Sequence, residues 1–190
     1  MQGKNVCALN ADDWYVLQVR TNREYYIKDI AGRLLSNTVR LIVFSREIIH
    51  KKSGDDICLV TPLFPGYIFV QKEINTVTRI LQSRLYNEFI HPVRFNSQPA
   101  KVSTKEMEWL LHNSDHNGKI ELSCGYARGE SVEITSGPLK NIPGKILFIN
   151  KKKCKAKVRF TLFHREMDVS LGLDFINRAE SHYGVNVSAG

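Results

Sequence analysis

The chain has 190 residues, 43% hydrophobic and 24% charged, a composition that excludes a fibrous or disordered protein and suits one ordinary domain or two small ones. Its net charge of +8 points to a polyanionic partner such as nucleic acid. No apolar run approaches the roughly 20 residues that span a bilayer, and Met1 to Ala11 lacks the basic-then-apolar pattern of a secretory leader, so no membrane partner and a cytoplasmic location are expected.

Residues 1–12 are polar and patternless, which predicts a disordered leader. From Trp14 to Arg20 the β-rich composition predicts a strand. Thr21-Asn22-Arg23-Glu24 has the spacing of a capping box, so a helix is expected to start there, with Ile27, Ile30, Ala31 and Leu34 on one face. Val39 to Phe44 predicts a second strand, His50 to Asp56 a loop or hairpin tip, and Ile57 to Val60 a return strand.

Leu63-Phe64-Pro65-Gly66-Tyr67-Ile68-Phe69-Val70 then reads as a turn running into a central strand, since Pro-Gly punctuates and the alternating β-branched and aromatic residues suit a pleated surface. Val77, Ile80, Leu81 and Leu85 mark a second helix. Phe89 to Phe95 is a last strand, which Pro92 confines to an edge or a bulge. Ser103-Thr104-Lys105-Glu106 is another capping box, followed by Met107, Leu110 and Leu111 on a third helix. The first domain is thus expected over 13–112.

His112 to Gly118 holds Asn, Ser, Asp and Gly, so a linker is placed over 113–125. Beyond it, short β-rich runs at Ser131–Thr135, Lys145–Ile149, Cys154–Leu162 and Glu166–Ser170 alternate with turns, the spacing of a small antiparallel barrel over 126–178, with 179–190 a tail. Residues 1–124 carry 16 Lys and Arg against 13 Asp and Glu, and residues 125–190 carry 11 against 6. The smaller part is the more basic.

That charge is concentrated in Lys153-Cys154-Lys155-Ala156-Lys157-Val158-Arg159-Phe160. Strand alternation puts Cys154, Ala156, Val158 and Phe160 inward and Lys153, Lys155, Lys157 and Arg159 outward, with Lys151 and Lys152 at the turn. Successive cations then lie about 7 Å apart at ~3.3 Å per residue. Two readings stay open: contact with a nucleic-acid backbone, favoured by counterion release, or a solvated face guarding a β edge.

Four cysteines, Cys7, Cys58, Cys124 and Cys154, form no C-x-x-C pair and are expected as free thiols. His112 and His116 are spaced H-x-x-x-H without a third ligand or a glutamate base. No phosphate-cradling or nucleophile motif occurs, so the chain is read as a non-enzyme without cofactor or metal.

Trp14-Tyr15-Val16-Leu17-Gln18, the Phe64-Pro65-Gly66-Tyr67 turn and Gly137-Pro138-Leu139 with Gly144, in this order, resemble the NusG family of transcription elongation factors over about residues 13–178. The resemblance implies an α+β protein: an N-terminal α/β sandwich that binds RNA polymerase, and a C-terminal KOW barrel. Arg128-Gly129-Glu130-Ser131-Val132, Gly137-Pro138-Leu139 and Gly144-Lys145-Ile146 are similar to the KOW motif, in which Gly144 would sit between two strands. By the same resemblance Leu63, Phe64 and Tyr67 would contact the polymerase clamp, and Arg20 and Arg23 would face non-template DNA. Tyr67 reads equally as core, and the arginines equally as a surface pair at a helix start.

General members recruit termination factor Rho or a ribosomal protein through the barrel. The basic strand instead resembles specialised LoaP-like antiterminators, which implies RNA binding, to a leader hairpin, by Lys151, Lys152, Lys153, Lys155, Lys157 and Arg159. Leu139, where an aromatic is frequent, departs from the general pattern. In RfaH-type relatives the second domain is helical at rest; the β-branched content here predicts a barrel. A monomer is expected. The alternatives are a general factor or a translation-linked RNA-binding module.

Overall fold

A computed structural model describes residues 13–35, 39–52, 55–71, 74–129, 131–162 and 165–175; the expected leader and tail lie outside them. The elements in order are β1 (Trp14–Val19), α1 (Glu24–Leu34), β2 (Leu41–Ile42), β3 (Ser45–Lys52), β4 (Asp55–Pro62), β5 (Tyr67–Gln71), α2 (Ile74–Arg84), β6 (Ile90–Pro92), β7 (Arg94–Phe95), β8 (Gln98–Pro99), β9 (Lys101–Val102), α3 (Thr104–His112), β10 (Lys119–Ile120), β11 (Ser123–Arg128), β12 (Ser131–Ser136), a 3-10 turn (Pro138–Asn141), β13 (Lys145–Asn150), β14 (Lys155–Leu162) and β15 (Arg165–Phe175). The fold is α+β, with three helices among the described residues. Its described residues divide into two compact units, one drawn chiefly from 13–44 and 64–112, the other from 45–63, 113–161 and 166–175.

The first unit is a sheet in the order β2-β5-β1-β6, with β9 also on β1. β1 and β5 are the inner strands, antiparallel with Val16 opposite Phe69 and Leu17 opposite Ile68. Val16, Leu17, Ile68, Phe69 and Val70 are all buried, so these strands read as apolar runs rather than strict alternation. Pro92 pairs with Leu17 on β6 at the sheet edge, where its missing N–H costs nothing. The helices pack their apolar stripes here: Ile27, Ala31 and Leu35 from α1, and Ile74, Val77 and Leu81 from α2.

Two local expectations fail for tertiary reasons. Leu34 is exposed and Leu35 buried, because the stripe runs Glu24, Ile27, Ala31, Leu35 at three- and four-residue steps. The first capping box does not form: Arg23 is the N-cap and has no side-chain cap, Asn22 takes a left-handed φ of 69°, and the buried Glu24 carboxylate accepts from Gly66 N at 2.6 Å. A backbone donor far along the chain thus takes the oxygen that a capping box would use. The second box does form, with Ser103 N donating to Glu106 Oε2 at 3.0 Å and Glu106 N to Ser103 Oγ at 3.3 Å.

In the second unit the sheet order is β12-β11-β15-β14-β13. It is not wholly antiparallel: β11 and β15 pair in parallel, Ser123 opposite Leu173. Three intervening strands supply the crossover that a parallel pair requires. Ala156, Val158, Phe160, Val169, Leu171 and Leu173 form its buried face. Leu139 is buried in the 3-10 turn, its N–H donating to Ser123 Oγ at 3.0 Å. A side chain on Gly144 would meet Arg159 O at 2.4 Å, so the strands close only over a glycine. The 113–125 stretch expected as a linker holds β10 and the start of β11. β10 pairs in parallel with β3, a partner too distant in sequence to leave a local signal.

Gly66 has φ +83°, and a Cβ there would stand 3.1 Å from Val19 O. Gly66→Ala is expected to cost about 1–2 kcal/mol from the left-handed backbone alone. Glu24→Ala, which strands the Gly66 donor, should cost about 1–3 kcal/mol, while Glu24→Gln keeps an acceptor and costs less. Urea unfolding of the three variants checks this ranking; a Glu24→Gln as damaging as Glu24→Ala would contradict it.

Candidate nucleic-acid interface

The turn that opens β5 is fixed from both sides. Val19 N donates to Gly66 O at 2.8 Å, Tyr67 N to Phe64 O at 3.2 Å, and Gly66 N to Glu24. The consequence corrects the expected contact set: Leu63 is 0% and Phe64 2% exposed. Phe64 packs on Phe69 with ring centroids 5.8 Å apart, and Phe69 in turn meets Phe44 edge-on at 4.9 Å. Leu63 and Phe64 serve the interior, because the closed turn points them under the strand it begins. Tyr67 is half-buried and Pro65 is exposed.

Arg20 is exposed. Arg23 is engaged, its Nη2 2.5 Å and Nε 3.2 Å from Glu88 Oε1, and its guanidinium 4.0 Å above the Tyr26 ring. Hydrogen bonding to Glu88 holds Arg23 above its ordinary value. It fastens the start of α1 to the loop after α2. Of the expected pair, Arg20 alone extends its charge to solvent without an ion-pair partner among the described residues.

The lysine-rich segment also differs from a simple strand. Lys151–Cys154 is a turn, and β14 begins at Lys155. Asn150 Oδ1 accepts from Lys153 N at 2.9 Å, an Asx turn that the sequence encodes locally. Cys154 is buried as expected, but from a left-handed backbone with φ 49°. Ala156, Val158 and Phe160 point inward while Lys155, Lys157 and Arg159 are half-exposed.

The cations are not equivalent. Arg159 Nε lies 2.7 Å and Nη2 3.2 Å from the two oxygens of Asp168, Arg159 Nη1 3.5 Å from Glu166, and Lys157 Nζ 3.2 Å from Asp168 Oδ2. Facing carboxylates on β15 thus neutralise the far end of the row. Lys151 Nζ donates to Gly129 O. Among the described residues no carboxylate pairs with Lys152, Lys153 or Lys155, so uncompensated charge collects at the turn. The four-cation row becomes a cluster there.

The hairpin of β3 and β4 joins this cluster. Its base is tied down by Ser45 N on Gly118 O at 3.0 Å, Lys119 Nζ on Glu47 Oε1 at 2.7 Å and Leu122 N on Glu47 Oε2 at 3.3 Å. Higher on β3, Ile49 and His50 line a cleft of about 260 Å³ together with Lys152, Lys153 and Lys155. Sequence reading missed Ile49 and His50. The only hint was the basic run His50-Lys51-Lys52, which is indistinguishable from an ordinary polar hairpin tip.

Asp168 is held at about 2, against an ordinary 3.8, chiefly by the hydrogen bond from Arg159 and then by Lys157. The folded chain therefore binds fewer protons there than the unfolded chain between about pH 4 and about pH 2. This contribution is present above about pH 4 and is lost as pH falls through about 2. Urea midpoints followed across that window should fall less steeply for Asp168→Asn than for the wild type. Equal slopes would remove the ion pair from the account of stability.

Residues 12–111, just over half of the chain, match the family model described as transcription termination factor nusG. A Thermus thermophilus protein named transcription termination/antitermination protein NusG is 25% identical over 189 residues, covering 88% of this chain and 98% of that one. Its namesakes from Haemophilus influenzae and Escherichia coli are 26% and 23% identical, covering 83% and 87% of this chain and 89% and 96% of their own. A solved structure titled for domain interaction in Thermotoga maritima NusG is 25% identical, covers 85% of this chain and 93% of that one, and superposes with a TM-score of 0.47. With a match across more than half its length, the chain belongs to the NusG family of transcription termination and antitermination factors.

Proposed function

We propose that this chain is a specialised NusG-type elongation factor acting as a processive antiterminator. Its first unit binds RNA polymerase, with Tyr67 and the exposed Pro65 supplying contact surface and Leu63 and Phe64 holding the turn in shape. Aromatic anchors on a fixed turn suit a contact with packed helices such as the clamp. Arg20 faces the non-template DNA strand, oriented by the turn that Arg23 fastens.

The second unit binds RNA, a leader hairpin, through Lys151, Lys152, Lys153 and Lys155, with Lys157 and Arg159 oriented by Asp168. One observation carries this assignment: Lys152 and Lys153 at the turn and Lys155 at the start of β14 have no carboxylate partner among the described residues, whereas Lys157 and Arg159 farther along β14 pair with Asp168. RNA phosphates, whose condensed counterions are released when lysines neutralise them, are the natural complement.

A second reading, a general factor recruiting Rho or a ribosomal protein, is favoured by the names of the relatives, all called termination/antitermination proteins. In vitro transcription through an intrinsic terminator, on templates with and without a candidate leader, separates the two. The proposal expects leader-dependent readthrough that Lys152→Gln, Lys153→Gln and Lys155→Gln together reduce at least tenfold. Leader-independent effects untouched by the triple variant would select the general factor.

A further inference from the structure

The hairpin of β3 and β4 contributes side chains to the cleft beside the lysine turn, and what lines that cleft differs from a simple phosphate clamp. Three lysines, Lys152, Lys153 and Lys155, line it together with His50 and Ile49. At about 260 Å³ it falls just below the roughly 300–1,000 Å³ of sites that enclose drug-sized ligands.

Both elements that line it are held. Glu47, three residues before His50, is fixed by Lys119 and by Leu122 N. β3 is paired along its length with β4, Ile49 opposite Cys58 and His50 opposite Ile57. On the other side the lysine turn is closed by Asn150 on Lys153 N, and Cys154 O accepts from Leu173 N at 2.9 Å. A site between two anchored elements loses little conformational entropy when it is filled.

We propose that this cleft receives a single unpaired nucleotide of the bound RNA, its phosphates on Lys152, Lys153 and Lys155 and its base against the His50 ring over Ile49. The inference rests on the RNA-binding reading above and deepens it. Histidine is among the side chains on which splayed-out RNA bases stack, and His50 is exposed, so its face is available. A base inside a duplex is covered by its neighbours, so the site selects a loop or bulge. The β3–β4 hairpin thereby becomes part of the recognition surface rather than a spectator. An acidic peptide would satisfy the lysines but offers no aromatic base to stack on the imidazole.

The test uses the full chain and fluorescence anisotropy at fixed ionic strength with two probes: a fluorescein-labelled RNA stem closed by a uridine loop, and a blunt RNA duplex of equal length. His50→Ala should weaken the stem-loop about tenfold, as loss of one stacked base does, and leave the duplex unchanged. His50→Phe should restore stem-loop binding, a rescue that a hydrogen-bonding role for the imidazole would not allow. The Lys152, Lys153 and Lys155 triple Gln variant should weaken both probes.

If the triple variant weakens both probes but His50→Ala changes neither, nucleotide recognition by the hairpin is overturned and the RNA-binding reading stands. If the triple variant changes neither probe, that reading falls and this inference with it. Displacement of the stem-loop by polyglutamate as readily as by unlabelled RNA of equal charge would also overturn it, since the cleft would then be a site for any polyanion.

Discussion

A hydrogen bond from Gly66 N to the buried carboxylate of Glu24 organises the first unit. The carboxylate is carried on the inward stripe of α1, where an acidic residue is tolerated only because a backbone donor meets it. Gly66 can supply that donor because its left-handed backbone turns the N–H toward α1 while its carbonyl accepts from Val19 at the end of β1. One glycine thus links β1, α1 and β5. The register of the two inner strands and the burial of Leu63 and Phe64 follow from the closed turn. A residue chosen for contact in sequence becomes a residue that gives the turn its shape.

In the second unit the governing constraint is where negative charge sits on β15. Asp168 faces Arg159 and Lys157 across the strand pair, and Glu166 adds to Arg159. Individually such half-exposed pairs contribute little to stability. Their larger consequence is spatial: they remove two cations from the field and leave the turn as the electropositive end. The same turn is locally rigid through Asn150 and the left-handed Cys154, so the remaining charges have fixed positions.

The hairpin of β3 and β4 interrupts the chain path of the first unit. It leaves the first unit's chain path after Phe44 and rejoins it at Phe64, yet its contacts place it with the second unit. Parallel pairing with β10 and the Glu47–Lys119 ion pair account for that. A two-stranded ribbon alone in water is only marginally stable. Docking on β10 gives it a third strand and sets His50 beside the lysines.

Much was legible in the sequence by itself, because local chemistry decided it. The three helices, the Pro-Gly turn before β5, the edge position of Pro92, the Ser103–Glu106 box and the inward Ala156, Val158 and Phe160 all follow from periodicity, turn chemistry and capping within a few residues. Tertiary structure alone decided what depends on distant partners. Glu24 abandons its box for Gly66, forty-two residues away. β10 is too short to signal itself without β3, β11 and β15 run parallel because of what lies between them, and the lysine row is trimmed by carboxylates on another strand. Sequence states which charges exist; only the fold states which of them are already answered.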